Sequence, residues 1–155
     1  MTEPLQGGCA CGAVRYRLAS APMFVNCCHC TWRQRETGSA FVINAIIERD
    51  RIETAGETVA IDTASESGTG QIVHRCPICL VALWSHYGRR TQVAFVRAGT
   101  LDRNDLIQPD AHIFTRSKVP WVAIPSDQPA FEVFYEMDKL WPAESRARRT
   151  AALAL

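Results

Sequence analysis

Two short stretches decide the fold: HRCPICL at residues 74–80 and GGCACG at residues 7–12. Cys76 and Cys79 stand at the spacing that lets one tight turn present two thiolates to a single ion, and Cys9 and Cys11 lie one residue apart. Four thiolates at about 2.3 Å in a tetrahedron make the closed zinc site that contributes folding energy. Such a site supplies on the order of 10 kcal/mol and closes the long chain segment between its two turns. A thioredoxin-type redox pair at Cys76 and Cys79 is the competing reading, but that motif needs a βαβ context, which the pattern does not provide. Inert buried cysteines would leave the paired spacing unexplained. The expectation is a structural zinc on Cys9, Cys11, Cys76 and Cys79.

Composition sets the frame around that site. A chain of 155 residues with 47% hydrophobic residues fits one domain and can bury a core of ordinary size. Its 17 basic and 16 acidic residues leave a net charge of +1, so no global field holds a polyanion and nucleic acid is not expected as a partner. The start, MTEPLQGG, lacks the basic and apolar regions of a signal peptide, and no run approaches the roughly 18 apolar residues of a membrane span. These features predict a cytoplasmic protein with no membrane partner. Thiols stay reduced there, so seven cysteines point to metal or chemistry rather than disulfides.

Hydrophobic alternation is mostly that of strands. AVRYRL (13–18), the β-branched run from Ala40 to the glycine turn at Gly56, TVAIDT (58–63), QIVHRC (71–76), VALWSHYG (81–88) and TQVAFVRAGTL (91–101) all have strand length. TASESGTGQ (63–71) reads as a loop or hairpin tip, in which Ser65 and Ser67 form turns. Pro109, Pro120, Pro125 and Pro129 rule out a continuous helix over residues 107–131. Pro142 and the good helix formers behind it predict a terminal helix, with Arg146, Arg148 and Arg149 on a solvated face. The predicted layout is a mostly β zinc-binding domain over residues 1–140 and a helix or tail over 141–155.

The densest cysteine cluster is NCCHCTWRQRETGSAF, residues 26–41. In an extended segment Cys28 and Cys30 point one way while Cys27 and His29 point the other. Two ligands do not make a catalytic zinc site, which normally has three protein ligands and one open position.

At this point the residues resemble the glutathione-dependent formaldehyde-activating enzymes and the related centromere protein V group. GGCACGAVRYRL, CHCTWRQRETGSAF, HRCPICLVALW, VRAGTLD and HIFTRSKVPWVAIP occur in the family's order. The resemblance implies small coiled β-sheets around the structural zinc, and a second, catalytic zinc on a Cys-x-Cys-x-x-Cys motif where glutathione's thiol meets formaldehyde to give S-hydroxymethylglutathione. The first two cysteines of that motif fall on Cys28 and Cys30, and Arg33 stands at the third position. A guanidinium does not ligate zinc, so Cys27, His29, His86 or a bound thiol would have to complete the set. Leu80 replaces the family's usual glycine at the close of the zinc turn.

Two functions follow. In the first, the chain is a carbon–sulfur lyase acting on a thiol adduct of a small aldehyde. Cys28 and Cys30 then hold zinc or serve as thiolates, Arg33 lowers their pKa, and Arg116 or Lys118 offers charge to an acidic ligand such as glutathione. In the second, the chain is a zinc-stabilised binding module that has lost the catalytic site. A redox sensor on the vicinal pair Cys27 and Cys28 is a third alternative. Trp32 reads as core or pocket wall, His74 as an orienting partner of a zinc thiolate, Ser39 or Thr37 as local caps, and a homo-oligomer is compatible with the sequence.

Overall fold

The computed structural model describes residues 4–155. Ten strands form two sheets. β1 (Gln6–Gly8), β2 (Arg15–Leu18) and β5 (Ile52–Ala55) make a small antiparallel sheet in the order β1-β2-β5. β3 (Phe24–Cys28), β4 (Val42–Glu48), β6 (Val59–Thr63), β7 (Gln71–Arg75), β8 (Ala82–Tyr87), β9 (Val93–Arg97) and β10 (Ala111–Ile113) make a seven-stranded sheet in the order β10-β3-β4-β9-β8-β7-β6. Only the β10–β3 pair of that sheet is parallel. The mostly β expectation holds, and Gly56 makes its turn with φ 90° where a Cβ would meet the carbonyl oxygen of Ala13 at 2.2 Å.

Around β3 and β4 the large sheet is covered on both faces, which explains why β3 is buried at every position and reads as continuous rather than alternating, whereas the edge strand β6 is exposed. On one face Val25, Ala45, Ile47, Trp84 and Val96 join Tyr16, Leu18 and Ile52 of the small sheet in a single core. On the other, Phe24, Cys28, Ile46, Val93 and Ile113 pack against Tyr135, Trp141 and Ala152 from the C-terminal segment. Alternation in β3 and β4 sorts the residues: Val25 and Ala45 face the small sheet, Phe24 and Ile46 the C-terminal side.

Three helices complete the chain: α1 (Thr31–Thr37), α2 (Met137–Leu140) and α3 (Ala143–Leu153). The terminal helix begins after Pro142 as expected and packs on the body through Ala152 and Leu153. Its basic residues are not all solvated. Arg148 forms a two-pronged bond to Glu48 at 2.6 and 2.8 Å and also donates to the carbonyl of Ala21. The helix α1 follows the extended segment that carries Cys28; Cys30 caps its start by accepting from the Arg33 N–H, and Gly38 ends it with φ 65°.

Candidate functional site

The four cysteines of the two turns converge. Cys9 and Cys11 Sγ are 3.6 Å apart, Cys11 and Cys76 Sγ 3.7 Å, and all four sulfurs including Cys79 lie within 4.8 Å of one another. A tetrahedron with metal–sulfur bonds of about 2.3 Å has edges of about 3.8 Å, so the group fits one zinc ion. Backbone N–H groups of Val14 and Ile78 donate to Cys9 and Cys76 sulfur, which favours the thiolates a metal needs. Leu80 closes the second turn with φ 62°, the conformation a glycine would take without strain. His74 does not orient a thiolate. It bonds Thr58 at 3.0 Å and stacks on Trp84.

Cys28 and Cys30 lie elsewhere, at the base of a cavity of about 400 Å³ on the C-terminal face of the large sheet. Its walls include Tyr87, Phe95, Ile113, Phe114 and Phe134, with Asn26 and Asn44 at the sheet and Arg90, Arg116 and the loop Ser65–Thr69 around it. Tyr135 fixes Asn26 by donating to its Oδ1 at 3.0 Å, and Trp141 donates to Tyr135 at 2.9 Å. The Cys28–Cys30 segment is held from below: Gln34 and Ser117 both donate to the carbonyl of His29 at 2.9 Å. The two thiols line the same cavity, and each shifts the titration of the other. Cys28 is pushed up by Cys30 and by burial, whereas Cys30 is lowered to about 7, chiefly by Cys28 and then by the Arg33 N–H and its guanidinium. The pair thus favours the proton on Cys28 and the charge on Cys30.

Arg33 is buried, only 2% exposed, and lines the same cavity. Its guanidinium pairs with Glu36 and sits 5.1 Å from the centre of the Tyr87 ring. Glu36 also receives Arg97 at 3.2 Å and Arg75 at 3.6 Å. Burial raises the Glu36 carboxyl, but Arg97 and Arg33 more than offset this and hold it below its ordinary value. Arg33 Nη2 is buried without a hydrogen-bond partner among the described residues. An unmet charged donor in a cavity wall calls for an anionic ligand.

The other expected residues are dispersed. Arg116 is at the cavity and pairs with Glu66 at 3.3 Å. Lys118 instead donates to the carbonyls of Val119 and Val122 at 3.2 and 2.6 Å. Trp32 is 37% exposed and flanks a surface depression with Arg35 and Thr63 rather than the core. Thr37 caps locally, accepting from the Ser39 N–H at 3.3 Å. His86 shares the face of Trp84, where its Nδ1 bonds the Val93 carbonyl at 2.8 Å, so it does not reach the cysteine pair. Cys27 and His29 lie across the sheet from the cavity, where His29 Nε2 meets His112 Nδ1 at 2.9 Å and Cys27 Sγ at 3.6 Å. These three atoms are close enough to hold a metal ion. The 2.9 Å separation is also that of an ordinary ring-to-ring hydrogen bond, with His112 Nε2 against Gln128 Oε1 at 2.6 Å.

Comparison with known proteins fixes the relationship. The family described as glutathione-dependent formaldehyde-activating enzyme matches residues 4–117. The chain belongs to that family. A Halomonas elongata protein whose name places it, provisionally, among glutathione-dependent formaldehyde-activating enzymes is 33% identical over 129 residues, which span 79% of this chain and 82% of that one. A Rhodobacter sphaeroides crystal structure is similar at a TM-score of 0.49 and 16% identity, covering 67% of this chain and 96% of its own. The second zinc that family resemblance implies finds a poor fit here. Among the described residues no third Cys, His, Asp or Glu converges with Cys28 and Cys30, and the position of the missing ligand holds the buried cation of Arg33. Sequence reading missed Tyr87, Arg90 and Phe95, which sit on β8, β9 and the turn between them, and Phe134 further along the chain; none of them carries a motif.

No helix among the described residues is long and apolar enough to cross a membrane.

Proposed function

We propose that this chain binds a small anionic thiol, or the adduct of that thiol with a small aldehyde, above Cys28 and Cys30. There it makes or breaks the adduct's carbon–sulfur bond without a metal at that place, while one zinc on Cys9, Cys11, Cys76 and Cys79 holds the fold. The observation that carries the reading is the Arg33 Nη2 without a hydrogen-bond partner among the described residues, on a side chain that lines one cavity with two thiols. The Cys30 thiolate takes the proton of the incoming thiol, whose sulfur adds to the aldehyde carbon. The oxygen, charged as the carbonyl opens, is met by the Arg33 donor and then takes the proton back from Cys30. Reversal of these steps breaks the bond. Arg90 and Arg116 at the cavity supply charge for the carboxylates of a ligand such as glutathione. Thiols in this state require a reducing compartment, the cytoplasm.

Exchange of labelled formaldehyde with glutathione, followed by NMR, tests the reading. The expected result is acceleration over the buffer rate that falls about 10²-fold in Arg33→Gln and in Cys30→Ser, with zinc content unchanged. Binding of S-methylglutathione with no acceleration would instead favour the binding module, the reading that the lost third ligand supports.

A further inference from the structure

We propose that Cys27, His29 and His112 form a copper(I) site on the face of the large sheet opposite the cavity. The site shares no ligand with Cys28 and Cys30, and its chemistry does not depend on theirs.

The pairing of β3 with β10 builds it. Their parallel register sets His112 beside Cys27. His29, two residues further on, faces the same side, and its N–H is held by the Ile113 carbonyl at 3.0 Å. A sulfur and a nitrogen bound to one metal at about 2.0–2.3 Å lie roughly 3.5–3.8 Å apart. Cys27 Sγ is 3.6 Å from His29 Nε2. The two ring nitrogens, at 2.9 Å, need to part by only about half an ångström. His112 donates from its other nitrogen, Nε2, to Gln128 Oε1 at 2.6 Å, which leaves the lone pair of Nδ1 facing His29 and fixes the ring as a metal-binding imidazole is usually fixed. The hydrogen on His29 Nε2 is then shared between His112 Nδ1 and Cys27 Sγ, and a cation in its place is met by all three lone pairs.

Charge and burial select the ion. The three residues are 6% exposed or less. Among the described residues no fourth Cys, His, Asp or Glu joins them, whereas a closed zinc site has four ligands. The field that reaches His29 from outside the cluster is that of the Lys118 ammonium. Copper(I) with the Cys27 thiolate is neutral, but zinc(II) would leave a net positive charge buried beside that lysine. A thiolate is also the soft donor that copper(I) takes, with imidazole as its companion. On binding, the Cys27 thiol gives its proton to solvent and no electron moves. The ion enters beneath the segment that carries Gln128, which is half-buried between the exposed Asp127 and Pro129.

The test adds copper(I), buffered by a chromogenic chelator under nitrogen, to the full zinc-loaded chain and reads metal content and X-ray absorption at the copper edge. The expected result is one copper per chain with the zinc retained, and one sulfur and two imidazole nitrogens around the copper. Cys27→Ser should weaken binding by roughly 100-fold or more and Gln128→Ala by about tenfold, while Cys28→Ser combined with Cys30→Ser leaves it unchanged. Copper bound by sulfur alone, or lost in that double variant but kept in Cys27→Ser, would place the ion in the cavity and overturn the proposal. Uptake matched by zinc release, or no uptake at all, overturns it too. The absorption spectrum of the wild-type chain decides the matter even if a variant fails to fold.

Discussion

A guanidinium carries five N–H donors, and at Arg33 the Glu36 carboxylate and the Tyr87 ring account for one side of it, leaving Nη2 unmet. Exchanging this side chain for a thiol should rebuild the family's three-cysteine set. Arg33→Cys is expected to raise bound zinc from one to two per chain by elemental analysis, and a value that stays at one would mean that the pocket geometry, not the ligand count, excludes the metal. At this scale the sequence was informative wherever chemistry has a fixed spacing: Cys9, Cys11, Cys76 and Cys79 were legible from two turns, and Arg33 stood out against the motif around it. The burial of Arg33 was not legible, because it depends on Glu36, one turn further along α1, and on Tyr87, brought in from a strand more than fifty residues away.

Among the elements, the turn that carries Cys76 and Cys79 holds a correctable strain. A left-handed residue with a side chain costs about 1–2 kcal/mol, and the exposed Leu80 has φ 62° with little packing to lose. Leu80→Gly should therefore raise stability by about 1 kcal/mol, measured by urea denaturation of the zinc-bound protein. The helix α3 depends on a different contact. Glu48 is buried beneath Arg148 and also lies 3.4 Å from Arg51, so Arg148→Ala strands a largely buried carboxylate with one remaining partner. The expected loss is on the order of 2 kcal/mol, below the range for a fully buried pair. The strands β2 and β4 to β9 were legible from their alternation and α3 from Pro142 and the helix formers behind it, whereas β1, β3 and β10 were too short or too fully buried to show a pattern. The helix α1 was not legible either, since seven residues give too little periodic signal and its start is capped by a cysteine rather than by the usual Ser, Thr, Asp or Asn.

For the whole molecule, acid acts through buried histidines. His29 and His74 are both held down to about 4, first by burial and then by the neighbouring His112 and His86. Their ordinary value is about 6.5, so between those limits the unfolded chain binds more protons and stability falls as pH drops from about 6.5 towards 4. Glu36 adds a later loss: its carboxyl lies below its ordinary value, so its contribution is present above about 4.3 and disappears as pH falls through the folded value. Melting temperature should be nearly flat near neutrality and decline below 6.5, with zinc retention followed in the same samples. His29→Gln should flatten the decline, and an unchanged slope would assign it to groups other than His29.

The strand β3 is hydrogen-bonded on both sides, parallel to β10 and antiparallel to β4, with Cys27 opposite His112 and Ile43, and Cys28 opposite Ile113 and Val42. Its reading frame is thus a selector. One residue inserted or removed ahead of Asn26 would turn an imidazole and a different sulfur into the cavity and send Cys28 toward the small sheet. Two neighbouring letters of the sequence belong to separate compartments of the protein, and the partner strands on either side keep that assignment fixed.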